Sequence, residues 1–121
     1  MKLTNQTIYQ YTEALASFHD IKTYIPARAN FLIQKNISVL AAAAQEIEKS
    51  RLEVAKHYGE VNEDGTGYNI PKEKLPAAAK ELEDLFSIEQ EIDIRTFKLD
   101  DLGNAEFTGA EMKAIMFMIE D

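Results

Sequence analysis

Apolar residues recur every three or four positions along most of this chain, and only one stretch changes to a period of two. Across residues 4–19, Ile8, Tyr11, Leu15 and Phe18 line one side of an amphipathic helix that Thr4 or Asn5 can cap. The sequence DIKTYIP interrupts it: Pro26 disfavours helix at Ile25 but suits the first turn of a new one. Residues 26–58 then run without an internal Gly or Pro. Ile33, Ile37, Leu40, Ala44, Ile47, Val54 and Tyr58 form a heptad-like seam there, with Arg51 its polar interruption. At about 1.5 Å per residue this helix would be roughly 45–50 Å long, with Gly59 as its terminator.

A loop over 59–73 leads to a second arm, 75–90, whose apolar face is Leu75, Ala79, Leu82, Leu85 and Phe86. It has about half the length of the first, so the two read as an antiparallel helical hairpin with unequal arms. In EIDIRTFKL, Ile92 and Ile94 alternate with Asp93 and Arg95, which predicts a strand near 91–97 with one wet face. Its candidate partners are the N-terminal KLT and the YNI of the loop. The last helix, 109–120, opens on T-G-A-E, a capping box from Thr108 to Glu111, with Phe107 and Met112 at the staple positions. Met112, Ile115, Met116 and Ile119 make one face while Phe117 and Met118 fall on another, so burial on two sides is expected. The predicted fold is mainly α with a minor β element, one domain over residues 1–121.

Composition narrows the function classes. The net charge is -8, with 45% hydrophobic and 28% charged residues. That argues against a sequence-independent grip on nucleic acid and against binding an anionic membrane surface. Without cysteine there is no disulfide, thiolate chemistry or zinc ribbon. The opening MKLTNQTIYQ lacks the apolar stretch of a secretory signal, and the longest apolar run, VLAAAA, is far short of a membrane span.

One stretch looks like chemistry. NEDGTGYNIPKE places Asn62, Asp64, Thr66 and Glu73 at four ligand positions of an EF-hand calcium loop, with Gly67 at the sharp turn. Asn62 brings no charge, however, Asn69 stands where an aliphatic residue is expected, and Pro71 falls where the exiting helix should start. Asp64-Gly65 and Gly67 are turn formers, so the preferred reading is a helix–helix loop. His57 with Glu53 one turn earlier lacks a third ligand, and His19 lies far away in sequence. No serine sits in a G-x-S-x-G elbow and no glycine-rich phosphate loop is present. The expectation is a protein that is not an enzyme and carries no cofactor.

Two features point to contacts with other proteins. Glu81, Glu83, Asp84, Glu89 and Glu91 form an acidic strip, read either as a solvated face or as a dock for a basic partner. The long helix outruns its partner arm, and the C-terminal helix carries more apolar residues than one small domain needs, so a homo-oligomer is expected. The contact residues predicted for it are Ile33, Ile37, Leu40 and Ile47 on the seam, with Met112, Met116 and Phe117 at the C-terminus.

The MKLTN opening, IPARANFLIQKN, GEVNEDGTGYNIP and the closing FTGAEMKAIMFMIED together resemble an uncharacterised family of small proteins encoded by bacteriophages and prophages of Gram-positive bacteria. The resemblance implies phage origin and a location in the host-cell cytoplasm or the virion, and it assigns no catalytic residue. Within that setting two functions compete. One is a structural or assembly role alongside a phage structural protein. The other is inhibition of a host defence protein through nucleic-acid mimicry or signal capture.

Overall fold

The computed structural model describes residues 1–120 and, within them, every side chain except that of His19. The fold is mainly α with four helices and short strands. Strand β1 (Lys2–Thr4) leads directly into helix α1 (Asn5–Leu15), where the Thr4 hydroxyl accepts the Thr7 amide at 3.1 Å. Ile8 and Leu15 are buried, and the chain then tightens into a 3-10 turn, Ala16–Asp20, that buries Phe18. The α-helix therefore ends before residue 19, although the apolar stripe continues.

Helix α2 (Ala27–Tyr58) starts directly after Pro26, whose carbonyl accepts the Asn30 amide at 2.9 Å. It ends at Gly59 for a steric reason. The Gly59 backbone is extended, not left-handed, and a Cβ there would stand 2.6 Å from the Ala55 carbonyl oxygen. Strands β2 (Glu60–Val61) and β3 (Tyr68–Asn69) pair as an antiparallel hairpin, followed by a 3-10 turn and helix α3 (Leu75–Phe86), with Pro76 in its first turn.

The predicted strand at 91–97 is divided. Strand β4 (Glu89–Glu91) pairs antiparallel with β1, Ile92 exchanges backbone bonds with Met1, and strand β5 (Phe97–Lys98) follows an irregular stretch over 93–96. Of the two candidate partners KLT is the one used, while the loop residues Tyr68 and Asn69 pair with Val61 and Glu60. The helix expected to reach residue 90 stops at Phe86 because buried Asn5 captures its end. The Asn5 side-chain amide donates to the Leu85 carbonyl at 2.8 Å, its oxygen accepts from Gln90 at 2.7 Å, and its backbone amide meets the Ile88 carbonyl.

A second buried asparagine holds this irregular stretch. Asn36, wholly buried on α2, donates to the Arg95 carbonyl and accepts the Arg95 amide, both at 2.8 Å. One side-chain amide thus serves as a single rung of strand pairing and satisfies backbone groups that no strand reaches.

Helix α4 (Gly109–Ile115) begins with the expected capping box, Thr108 and Glu111 satisfying each other's backbone amides. It does not reach residue 120. A 3-10 turn follows, and strand β6 (Ile119–Glu120) pairs parallel with β5. Helices α1 and α3 pack on α2, and α4 packs on α1. One core cluster results, drawing Leu3, Ile8, Leu15, Ile33, Leu40, Ile47, Phe97 and Ile115 together from nearly every element.

Candidate interaction surface

The seam of α2 is internal. Ile33 and Leu40 are 0% exposed and Ile47 is 2%, while half-buried Ile37 packs against the same core. Their assignment as contacts between copies is corrected accordingly: α1, α3 and the C-terminal elements of the same chain cover them. The C-terminal residues divide. Met112 is half-buried, Phe117 stacks on Tyr11 with ring centroids 3.9 Å apart, and Met116 remains 61% exposed. Much of the surplus apolar surface expected of this helix is absorbed by α1.

The loop at residues 62–67 is a turn closed on its own amides. The Asn62 side-chain oxygen accepts from the amides of Thr66 at 3.1 Å and Gly67 at 3.3 Å. An Asp64 oxygen accepts from the Thr66 amide at 3.2 Å and the Thr66 hydroxyl at 2.7 Å. These bonds, the hydroxyl first, hold the Asp64 carboxyl below its usual range. The left-handed residue is Gly65, φ 72°, not Gly67, where an EF-hand makes its sharp turn. Glu73 lies outside this turn, in the 3-10 segment before α3. Among the described residues no three His, Cys, Asp or Glu side chains cluster in a way that could hold a metal ion. His57 is exposed, its ring edge-on to Tyr58.

The acidic strip does not present one continuous surface of free carboxylates. Glu91 is 3.4 Å from the N-terminal ammonium, Glu89 lies 3.8 Å from Lys2, and Asp84 lies 4.0 Å from Lys80. The nearby Glu81 carboxylate raises the Tyr58 hydroxyl pKa, while Glu83 borders a groove shared with Gln6 and Phe86. Exposed pairs of this kind contribute little to stability. They do, however, divide the strip into locally compensated pieces, with Glu81 and Asp84 on the solvent side of α3.

A better-built polar group lies between α1, α2 and α3. The Tyr9 hydroxyl donates to Glu48, and Arg51 holds the same carboxylate through two bonds, one at 2.9 Å from Nε. Arg51 first and Tyr9 second bring the Glu48 carboxyl down to about 2, and burial followed by the Glu48 bond pushes Tyr9 up to about 12. Both shifts move the groups away from neutral pH, so the cluster fastens helices and has no proton to exchange there. The Tyr9 ring also meets Phe86 edge-on at 5.2 Å, which ties α3 into the same joint.

The outward side of α2 is left unpartnered. Phe31, Lys35, Ser38, Ala42, Gln45, Lys49, Leu52 and Lys56 follow one another at alternating steps of four and three, and all are exposed. Phe31 is 61% exposed and Leu52 44%. Arg28 extends the line at one end. Among the described residues Arg28, Lys35, Lys49 and Lys56 have no carboxylate within ion-pair distance, although Glu46 and Glu53 lie on the borders. The stripe runs for roughly 38 Å from Phe31 to Lys56 at about 1.5 Å per residue. It was legible as the complement of the seam, half a helical turn away.

Compared with models of protein families, with characterised proteins and with solved structures, the chain finds no match.

Proposed function

We propose that this protein is a non-catalytic interaction module of a bacteriophage or prophage, working in particle assembly, with the outward side of α2 as its docking surface. The observation that carries the reading is that stripe: two large exposed apolar anchors, Phe31 and Leu52, with small Ala42 between them and unpaired cations alongside. A helix this long needs only one side to complete the core, which leaves the other free to bind. Aromatic side chains are enriched at protein interfaces over the rest of a protein surface, and Phe31 offers one. The phage setting, with action in the host cytoplasm or in the virion, rests on the sequence resemblance. No helix among the described residues is long and apolar enough to cross a membrane. Nucleic-acid mimicry by the whole acidic strip is the weaker reading, because Glu89 and Glu91 at its far end already have cationic neighbours.

The test is affinity capture from a prophage-induced lysate, comparing the parent chain with a Phe31→Glu/Leu52→Glu variant. Particle proteins held by the parent and lost at least tenfold by the variant are the expected result. A host nucleic-acid enzyme held equally by both would replace this reading with inhibition of a defence protein.

A further inference from the structure

The α2 stripe has a charge that limits what can cover it. It carries Arg28, Lys35, Lys49 and Lys56 against Glu46 and Glu53, in a chain whose net charge is -8. The face is cationic on an anionic molecule. Two α2 helices meeting antiparallel across Ala42 would set Lys35 against Lys49 and Arg28 against Lys56. Meeting parallel, each lysine would face its own copy. Like charges brought together in this way oppose a two-fold contact. A duplex nucleic acid is disfavoured by the carboxylates over the rest of the chain.

A surface of the opposite kind exists on the same molecule. On the solvent side of α3, Ala77, Glu81 and Asp84 follow at steps of four and three, all exposed, and Ile88, 51% exposed, continues the line just past the helix end. Lys80 offsets only part of that charge. A small residue lets the helices approach, the carboxylates meet lysines, and Ile88 offers an apolar partner for Phe31 or Leu52.

We infer that the outward face of α2 docks the solvent face of α3 of a second copy, head to tail. This rests on α2 being the docking surface proposed above and names its occupant. A contact between two different faces does not close on itself at two chains, so copies add one after another into rings or filaments.

The experiment is sedimentation velocity of the full chain over a range of micromolar concentrations, at low and high salt, with two charge-reversal variants. One carries Lys35→Glu, Lys49→Glu and Lys56→Glu, and the other carries Glu81→Lys and Asp84→Lys. The parent should form species larger than a dimer that dissociate as salt rises. Each variant alone should stay monomeric with an unchanged circular dichroism spectrum. Mixed together, they should associate again, because the intact α2 face of one meets the intact α3 face of the other. A parent that stays monomeric overturns the inference, as does an α3 variant that still self-associates. Growth of the parent only on adding RNA or DNA overturns it in favour of nucleic acid. Because the capture experiment reads particle proteins, a monomeric parent whose particle proteins are still lost in the Phe31→Glu/Leu52→Glu variant would leave the proposed function standing without this occupant.

Discussion

Along α2, the stripe through Ile33, Leu40 and Ile47 and the stripe through Phe31, Ala42 and Leu52 share the same spacing and nearly the same length, yet only the first is covered by its own chain. The first is aliphatic and carries one buried asparagine. The second mixes two large apolar residues with lysines. Periodicity alone shows that a helix has a face. The composition of the opposite face decides which of the two is left for a partner.

The largest effect should come from the covered side. Leu40→Ala should lower unfolding free energy by about 2–5 kcal/mol, whereas Phe31→Ala should stay within about 0.5 kcal/mol, both read from urea denaturation below the association range. Equal losses would mean that the two faces are equally packed in solution and would remove the contrast.

Next come two asparagines that both stand in for backbone. Asn36→Ala leaves the Arg95 amide and carbonyl without partners in the core and should cost about 1–3 kcal/mol. Asn62→Ala frees amides that water can reach and should cost no more than about 1 kcal/mol. Similar values in the same urea titrations would show that burial adds nothing to what the bonds themselves contribute.

The joint of Tyr9, Glu48 and Arg51 gives a smaller effect that depends on pH. Glu48 falls from its ordinary 4.5 to about 2, so its contribution is complete above pH 4.5 and is lost as pH falls towards 2. Tyr9 rises from 10.0 to about 12, so its contribution is complete below pH 10 and is lost as pH rises through 12. Melting temperature measured across pH should therefore sag at both ends. Tyr9→Phe should reduce both the alkaline and the acid sag, and an unchanged alkaline limb would separate the hydroxyl from the joint. The Glu48 side chain is 42% exposed, so solvent and salt weaken the acid effect.

The smallest effect belongs to the outward lysines. Lys35→Glu alone should unfold within about 0.5 kcal/mol of the parent. A larger loss would place that side chain in the fold and not at its edge.

Much of the helical framework was legible because local signals agreed with one another. Pro26 and Gly59 bracket α2, and Thr108 with Glu111 opens α4 where the capping box says it should. What failed depended on partners distant in sequence. The alternation of Ile92 and Ile94 is real, but strand pairing stops at Ile92, and the Arg95 backbone beyond it meets the side chain of Asn36, fifty-nine positions away. Helix α3 ends early because Asn5 takes the Leu85 carbonyl, eighty positions away. Both asparagines were visible: Asn36 stands three residues after Ile33 and four before Leu40, a polar residue in the phase of the seam. The outward stripe of α2 escaped for a related reason. The most hydrophobic face of a helix draws the eye as an interface, yet a chain of this size needs that face for its own core.

Strands β1 and β6 give the pairing at residues 89–98 a consequence for how the chain is threaded. The N-terminal strand lies beside residues 89–91 and the C-terminal strand beside 97–98. Those two stations are about six residues apart, at most roughly 20 Å of extended backbone. The path through the molecule is thus nearly a closed circuit, and a short flexible bridge could join its ends. A chain so joined and reopened between Asp64 and Gly65, in an exposed turn, would retrace the same route from a new starting point. The order of the described elements along the chain is then separable from their arrangement in space.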